Sequence, residues 1–305
     1  KGLGSEAVTV TDSSVSASDL NTLNTSTDYN ITVNATAISG SLSDVSTLYD
    51  NKAANSDADT DGFTGLGNEA ITLTDTGSIA ADTLLTVAQA NSSGTVDASN
   101  AGTITGTAEE IIDAYADSTI TEASDVALTV NTANSGTATL TQARSLDGLT
   151  TGVVTATIAA TDLSDLVGSS PLLDANGNNA FTITIGTDDA TVAAADLNTL
   201  DGLTTVAINA GNVTTITNSS LADINTLYAS SGFSGLGDQA ITANDTGSIA
   251  ASTITTVATA NSSGTLNVSA AGTITGTAAE IIAAFADGTV TEASDVALTV
   301  NSGTA

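Results

Sequence analysis

Short stretches in which apolar and polar residues alternate recur along the whole chain. Successive side chains of a strand point to opposite faces, so a period of two predicts strands buried on one face. These stretches are rich in Thr, Val and Ile, which suit a pleated surface. The predicted strands are Ala7–Thr11, Ile31–Val33, Ala70–Thr74, Thr95–Ala98, Ala127–Val130, Val154–Ile158, Phe181–Ile185, Ala207–Asn209, Ala240–Ala243, Thr265–Val268 and Ala297–Val300. They are short and no hairpin dipeptide joins them, which predicts parallel pairing between successive coils.

A second pattern begins with Ile or Val and small residues and then places apolar residues three apart, as on one face of a helix. It occupies ten segments, of which the fifth is degenerate: Val15–Leu23, Ile38–Leu48, Ile79–Val87, Ile104–Ile112, Leu140–Leu149, Ile158–Leu166, Val192–Leu200, Ile216–Leu227, Ile249–Val257 and Ile274–Ile282. They begin 18 to 41 residues apart. Recurrence in this range is typical of solenoids, in which each unit buries its apolar face against its neighbours. We therefore predict a parallel β-solenoid with short strands and a helical segment in each coil, continuous over residues 1–305 and about ten coils long.

Two long segments of the chain are near-duplicates. Blocks 62–131 and 232–301 are identical at 52 of 70 positions. The differences between the two blocks act as a small mutation series. Glu109, Asp113 and Asp97 are replaced in the second block by Ala279, Ala283 and Asn267, which argues against catalytic roles for these acids. Tyr115 becomes Phe285, so the aromatic residues at the helix ends, which also include Tyr49 and Tyr228, are predicted to be apolar plugs. Ile112 and Ile282 are predicted to lie on the buried helical face.

Polar residues mark the ends of the predicted elements. Ser16–Asp19, Ser41–Asp44 and Ser220–Asp223 have the spacing of helix N-terminal capping boxes. Asx residues follow the strands, where they are expected to bond their own backbone and turn the chain through left-handed conformations. These Asx residues are Asp12, Asn34, Asp75, Asn131, Asn209, Asp245 and Asn301.

The charge of the chain is one-sided and limits its partners. Three basic residues stand against 34 acidic ones, giving a net charge of −31. Phosphate backbones and anionic membranes need basic side chains, so we predict no nucleic-acid partner and no membrane insertion. Copies of the chain repel each other at low salt, and salt or divalent cations weaken that repulsion. The chain has no Cys and no Met, even at position 1, and we expect it to be a segment of a longer or processed polypeptide.

One loop has the composition of a calcium site. Asp57, Asp59 and Asp61 alternate in a D-x-D-x-D-G sequence, where three carboxylates share one side of a tight turn. Carboxylate oxygens are the ligands that Ca²⁺ prefers. A weaker version of this pattern is Asp174, Asn176 and Asn178. The alternative for both loops is a solvated acidic turn.

Catalytic chemistry finds little support in the composition. Without His or Cys the chain cannot form His-based triads. Paired acids could cleave glycosides, yet the chain offers no Trp and one Arg to bind sugars, so we predict no enzyme and keep a polysaccharide-acting enzyme as a remote alternative. A further alternative is ice binding through rows of Thr hydroxyls. The spaced pairs are Thr9 with Thr11, Thr72 with Thr74, Thr155 with Thr157 and Thr182 with Thr184.

The strand–turn–helix coils, the long near-identical blocks and the scarcity of Lys, Arg and Cys resemble very large repetitive cell-surface proteins of bacteria. Surface proteins of marine cyanobacteria linked to swimming are among them. The resemblance implies secretion without disulfides and a role in a surface layer, fibre or adhesin. We therefore expect an extracellular structural protein whose copies stack end to end into a filament or layer. The main alternative is a calcium-dependent adhesin or an ice-binding solenoid.

Overall fold

The computed structural model describes residues 2–4, 6–53, 62–131, 136–159, 161–168, 172 and 177–301. Short strands alternate with helices throughout these ranges. The α-helices are α1 (Ala17–Asn24), α2 (Leu42–Ala53), α3 (Ala81–Ala90), α4 (Ala108–Ala116), α5 (Leu140–Asp147), α6 (Leu163–Val167), α7 (Ala194–Asp201), α8 (Leu221–Ala229), α9 (Ala251–Ala260) and α10 (Ala278–Ala286). One 3-10 turn covers Thr187–Asp189.

The strands are two to five residues long. The first twelve are β1 (Val8–Val10), β2 (Ser14–Ser16), β3 (Ile31–Val33), β4 (Ala37–Gly40), β5 (Phe63–Thr64), β6 (Ala70–Leu73), β7 (Ser78–Ala80), β8 (Thr95–Asp97), β9 (Thr103–Gly106), β10 (Ile120–Thr121), β11 (Ala127–Val130) and β12 (Thr137–Ala138). The others are β13 (Val154–Ile158), β14 (Ala180–Thr182), β15 (Thr191–Val192), β16 (Ile208–Asn209), β17 (Thr215–Ser219), β18 (Phe233–Ser234), β19 (Ala240–Ala243), β20 (Ser248–Ala250), β21 (Thr265–Asn267), β22 (Thr273–Gly276), β23 (Val290–Thr291) and β24 (Ala297–Val300).

The fold is α/β, with several parallel sheets in a solenoid-like repeat, which confirms the coarse prediction from the alternating pattern. All eleven predicted strands are present, and the largest difference is at Phe181–Ile185, where β14 ends at Thr182. From β1 to β11 and from β15 to β24, each strand pairs in parallel with strands of the neighbouring coils, as Val8 with Ile31 and Ile31 with Phe63. A helix or turn carries the chain back before the next strand, which is how parallel strands are joined.

The chain forms two compact units, residues 1–156 and 157–305. In the first unit one sheet has the order β1-β3-β5 and a second has the order β2-β4-β6-β8-β10. A third contains β7-β9-β11, extended by β13 with β12 beside it. In the second unit the sheets are β15-β17-β19-β21-β23, β16-β18 and β20-β22-β24.

The sheets show that the repeat consists of two coils rather than one. In the sheet β2-β4-β6-β8-β10, strands β2 and β4 lead directly into helices, whereas β6 is followed by another strand, β7, before α3. The sheet β15-β17-β19-β21-β23 repeats this arrangement, with β20 inserted before α9. A complete sheet thus has five strands: two from one pair of coils, two from the next pair and one from the coil after that. The sheets β1-β3-β5 and β20-β22-β24 each have three strands of this pattern.

The core is a thin layer of branched aliphatic side chains stacked along each sheet. One such row is Val15, Ile38, Ile71, Val96 and Ile120. The helices close this layer from the other side with residues such as Leu20, Leu84 and Ile111. Branched aliphatic side chains of successive coils lie at matching positions, so each coil buries its apolar face only against its neighbours.

The prediction for the helical isoleucines was wrong by one position. Ile111 and Ile281 point into the core, with 0% and 6% of their surfaces exposed. Ile112 is half-buried and Ile282 is 68% exposed. Both neighbours are apolar, so the pattern alone did not decide which one faces the sheet. Thr107 and Thr277 cap α4 and α10, and in the helices that begin there Ile111 and Ile281 are the residues that face the sheet.

This difference gives a matched stability test within one helix turn. We expect Ile281→Ala to lower the free energy of unfolding by about 2–5 kcal/mol, because it opens a cavity beneath α10. Ile282→Ala should change it by no more than about 0.5 kcal/mol in the monomer, because the side chain is exposed. Urea unfolding followed by circular dichroism measures both. Equal losses for the two variants would show that the rotation of α10 described here is incorrect.

The predicted helix caps at three serines are present. The Ser16, Ser41 and Ser220 hydroxyls each accept the backbone N–H three residues later, at 3.1, 3.1 and 3.0 Å. Three unpredicted caps, at Thr107, Thr139 and Thr277, are full capping boxes with Glu110, Gln142 and Glu280. These bonds satisfy N–H groups that a helix leaves without internal partners.

The predicted role of the Asx residues after the strands needs correction at Asp75 and Asp245. The non-glycine residues with positive φ in the described chain are Ser92, Asn218 and Ser262, so none of the seven Asx residues turns the chain through a left-handed conformation. The predicted bond to the local backbone is present at Asn209, whose Oδ1 accepts the Gly211 N–H at 3.0 Å. Instead, the Asp75 carboxylate accepts the Leu42 N–H and the Asp245 carboxylate accepts the Leu221 N–H, both at 2.7 Å. Each Asp therefore caps the helix of the preceding coil. This assignment needs the coil stacking, which the local sequence does not show.

Candidate self-association surface

The last coil of the described chain exposes an apolar surface. Two elements form it: one stripe of α10 and the outer side of β24. We call this the terminal face and define it by Ile282, Phe285, Leu298 and Val300, which are 68%, 43%, 50% and 62% exposed. The face belongs to the last described coil, so no further coil lies beside it within the described residues.

The near-duplicate block shows the same residues in a covered state. Leu128 and Val130, which correspond to Leu298 and Val300, are 0% and 5% exposed. Ala108 is buried, whereas its counterpart Ala278 is exposed. The local folds match, because β22 pairs with β24 in the same register as β9 with β11. The exposure of the terminal face therefore comes from what lies beside it and not from a different local structure.

In the first unit, the following coil provides that cover. Strand β13 pairs with the outer edge of β11, placing Val154 beside Leu128 and Thr155 beside Thr129. The Leu128 N–H donates to the Val153 carbonyl at 2.9 Å. Helix α5 packs against α4. The corresponding edge of β24 has no partner strand within the described residues.

The sequence of the terminal coil has lost negative charge compared with its twin. Glu109 of α4 corresponds to Ala279, and Asp113 corresponds to Ala283. Glu109 borders a groove between α4 and the start of α5, so it lies at the junction that the next coil covers. Replacing these acids by Ala lowers the repulsion that a second chain of net charge −31 would meet at this end.

The last described coil also holds a glutamate with a perturbed pKa. Burial raises the pKa of Glu292, and the charge of Asp287 adds to this shift. Its twin, Glu122, has its pKa raised for the same reasons, with Asp117 as the neighbouring charge. One buried oxygen of each carboxyl has no hydrogen-bond partner among the described residues. Protonation of Glu292 therefore begins at a higher pH than for an ordinary Glu and removes one more charge from this end.

The aromatic residues at the helix ends differ from one another. The Tyr115 hydroxyl is buried without a hydrogen-bond partner in the described chain, which fits its replacement by Phe285. Tyr49 and Tyr228, however, use their hydroxyls. The prediction of simple apolar plugs was therefore wrong for these two residues.

Tyr49 belongs to a buried network in which its hydroxyl lies 2.6 Å from Glu69 Oε2 and 2.8 Å from Asn91 Oδ1. Asn91 Oδ1 also accepts the Glu69 N–H at 3.0 Å, and Asn91 Nδ2 donates to the Glu69 carbonyl at 2.8 Å. Both Glu69 and Asn91 are fully buried. A Cβ at Gly94 would lie 2.3 Å from Asn91 Nδ2, so only glycine fits beside this network.

The second copy of the network has the same geometry with a neutral amide. Tyr228 OH lies 2.9 Å from Gln239 Oε1 and 2.8 Å from Asn261 Oδ1. The signal available in the sequence was the pairing of Asn91 with Asn261 in an identical ANSSGT segment. Both networks join three consecutive coils, so their role is to hold the stack together.

These networks predict alkaline unfolding. Burial raises the pKa of both the Tyr49 and the Tyr228 hydroxyls above the usual value of about 10. Below about pH 10 both phenols are neutral in the folded and the unfolded chain, and their contribution to stability is fully present. Above that pH only the unfolded chain ionises freely, so stability should fall. Urea unfolding at a series of pH values from 8 to about 11 measures this; a midpoint that is constant up to the top of the series would contradict it.

The predicted calcium residues are mostly untested by this structure. Asp57, Asp59, Asp61, Asp174 and Asn176 lie outside the described residues. Asn178 is half-buried shortly before β14. Among the described residues no group of three or more acidic side chains is arranged to hold a metal ion.

The predicted Thr pairs do not form a continuous array in the described sheets. Thr9, Thr32 and Thr64 make one exposed row across the sheet β1-β3-β5. In the next sheet the outward row is Ser16, Ser39, Thr72, Asp97 and Thr121.

Two matched grooves lie where one pair of coils meets the next. One, of about 370 Å³, is lined by Leu221, Asp245 and Ser248 among others, and its counterpart of about 360 Å³ is lined by Leu42, Asp75 and Ser78. The Asp of each groove is engaged in capping the preceding helix. None of the described helices combines the length and the hydropathy that a membrane span requires. Comparison with protein families, curated proteins and solved structures finds no match to this chain.

Proposed function

We propose that this chain is an extracellular structural protein, a parallel β-solenoid of about ten coils whose copies stack end to end to build a cell-surface filament or layer. The observation that carries the proposal is the terminal face. The same residues are covered by a following coil in the near-duplicate block and are open in the last coil. We assign this face to a further coil of the same kind, which a second copy of the chain supplies in an end-to-end assembly.

The energetics support association through this surface. Covering Leu298 and Val300 to the extent seen for Leu128 and Val130 removes two branched side chains from water. Burial of such a side chain contributes about 1.5–3 kcal/mol. Pairing of the open strand edge adds backbone hydrogen bonds, and proteins normally block such edges with charges or proline. The strand β24, Ala-Leu-Thr-Val, has neither.

The long-range charge opposes association and makes it dependent on salt. Each chain carries −31, so two copies repel each other at low ionic strength. The screening length is about 10 Å at 0.1 M salt and about 3 Å at 1 M. Salt should therefore promote stacking, as should divalent cations. Calcium bound at Asp57, Asp59 and Asp61 would lower the net charge further.

Light scattering across protein concentration, in low salt, high salt and millimolar calcium, tests the proposal. We expect the mean mass to rise with protein concentration and with salt. If Asp59→Ala abolishes the effect of calcium on the mean mass, calcium acts by binding to the acidic loop. If the effect survives this change, calcium acts by general charge screening. A folded chain that stays monomeric in every condition would contradict the proposed function.

A further inference from the structure

The two matched grooves each lie beside a strand that is inserted before a helix. Strand β7 precedes α3 and strand β20 precedes α9, and each groove lies between this strand and the start of the helix of the preceding coil. Nine equivalent positions line both grooves, and seven of them carry the same residue. The differences are Ser43 against Ala222 and Ser46 against Asn225. The repeat therefore builds the same surface once in each compact unit.

Smaller grooves lie at the corresponding junctions of other coils. One of about 220 Å³ lies between α4 and α5, and one of about 270 Å³ lies between α6 and α7. In the groove beside α6, Asp189 Oδ2 accepts the Leu163 N–H at 2.8 Å, which is the same cap that the Asp of each matched groove provides. Each compact unit thus carries grooves at two junctions that are two coils apart.

The polar groups of the matched grooves are held in place by the fold but are not all engaged by it. Asp75 and Asp245 satisfy the helix start through Oδ2, while Oδ1 of each makes no hydrogen bond within the described chain. Three further polar side chains of each groove make none among the described residues. They are Ser43, Ser46 and Ser78 in one groove and Asn225, Ser248 and Thr253 in the other. A ligand can therefore bond to these groups without breaking a bond that stabilises the fold.

The groups that line the grooves favour a neutral ligand that both donates and accepts hydrogen bonds. Hydroxyl and amide side chains do both, whereas a carboxylate oxygen only accepts. Among the described residues no basic side chain lines either groove, and a net charge of −31 repels anions. Ca²⁺ takes about six to eight oxygen ligands, mostly charged, and each groove supplies a single carboxylate that is already half engaged. Sugar hydroxyls match the donors and acceptors that remain.

From this we infer that the grooves bind the neutral sugar units of a polysaccharide. The volumes of the matched grooves, about 360 and 370 Å³, lie within the range of small-molecule sites. No aromatic side chain among the described residues lines them, so a single groove binds a sugar weakly. Repetition at junctions two coils apart suits a polymer, because a chain held in one groove reaches the next at high effective concentration. Each groove lies within one chain, so the inference goes beyond end-to-end assembly and does not depend on it.

Binding of neutral polysaccharides to the monomeric chain in low salt tests this assignment. The probes are a glucan, a mannan and a galactan, with polygalacturonate as an anionic comparison, each included in a native gel. We expect at least one neutral polysaccharide to retard the chain. Removing the unengaged groups in Ser46→Ala, Ser78→Ala, Asn225→Ala and Ser248→Ala together should raise the dissociation constant by about tenfold or more, because each lost hydrogen bond weakens binding severalfold.

Ser93→Ala combined with Ser263→Ala is the matched control. Both serines are exposed, make no side-chain hydrogen bond within the described chain and lie outside the grooves. We expect this variant to bind like the unmodified chain, and circular dichroism should show that both variants are folded. The assignment is overturned if no neutral polysaccharide binds, if polygalacturonate binds equally well, or if the groove variant and the control bind alike. None of these results bears on the proposed function, which light scattering of the unmodified chain decides.

Discussion

Replacing Asn91 by Ala is expected to produce the largest loss of stability of any single polar substitution in the described chain. Asn91 Oδ1 accepts the Glu69 N–H and the Tyr49 hydroxyl, and Asn91 Nδ2 donates to the Glu69 carbonyl. Glu69 and Asn91 are fully buried. Buried groups left without a partner cost about 1–3 kcal/mol each. With two or three groups affected, the free energy of unfolding should fall by about 2–9 kcal/mol, which is a large share of the stability of an ordinary domain.

The chain supplies its own controls for this experiment. Asn100→Ala removes an Asn nine positions away, where the second copy already carries Ala270, and should cost no more than about 1 kcal/mol. Glu69→Gln introduces the residue that the second copy has at Gln239 and should also be tolerated. Urea unfolding of the three variants gives the comparison. A cost for Asn91→Ala as small as that of Asn100→Ala would show that the network is not a structural joint.

Leu298→Asp is expected to abolish association while leaving the monomer folded. Leu298 is 50% exposed in the single chain, so a carboxylate there can remain in water until a second copy covers it. Loss of the buried side chain and burial of a charge should weaken association by about a hundredfold or more. Light scattering in high salt measures the shift in the concentration at which the mass rises, and circular dichroism checks the fold.

Asn267→Asp is the matched control for Leu298→Asp. It adds the same charge to an outward position of β21, where the twin strand carries Asp97. We expect it to leave association nearly unchanged. If both variants weaken association equally, net charge and not the terminal face controls assembly.

The regular part of the fold could be predicted from the sequence because local patterns determine it. The alternating patterns at Ala127–Val130 and Ala240–Ala243 predicted both ends of those strands correctly. Ser16 and Ser220 gave helix starts, because a cap depends on residues three apart. Parallel pairing followed from short strands without hairpin turns.

Contacts between coils could not be predicted from local sequence patterns. The bond from Leu42 to the Asp75 carboxylate joins residues 33 apart, and no local pattern marks it. The choice between Ile111 and Ile112 depended on the rotation of α4, which a run of two apolar residues leaves open. The two-coil period appeared only from the order of strands in the sheets.

Hydrogen exchange at the backbone amide of Leu298 tests end-to-end docking most directly. The Ala297 and Asn301 N–H groups donate to β22 and its neighbouring turn, through the Gly272 and Gly276 carbonyls. The intervening Leu298 N–H therefore faces the free edge, where its twin in the first unit, Leu128, donates to Val153. We predict that exchange at Leu298 slows as protein concentration rises in high salt, while exchange at Leu128 stays slow throughout. Fast exchange at Leu298 at every concentration, in samples that light scattering shows to be assembled, would contradict docking at the terminal face.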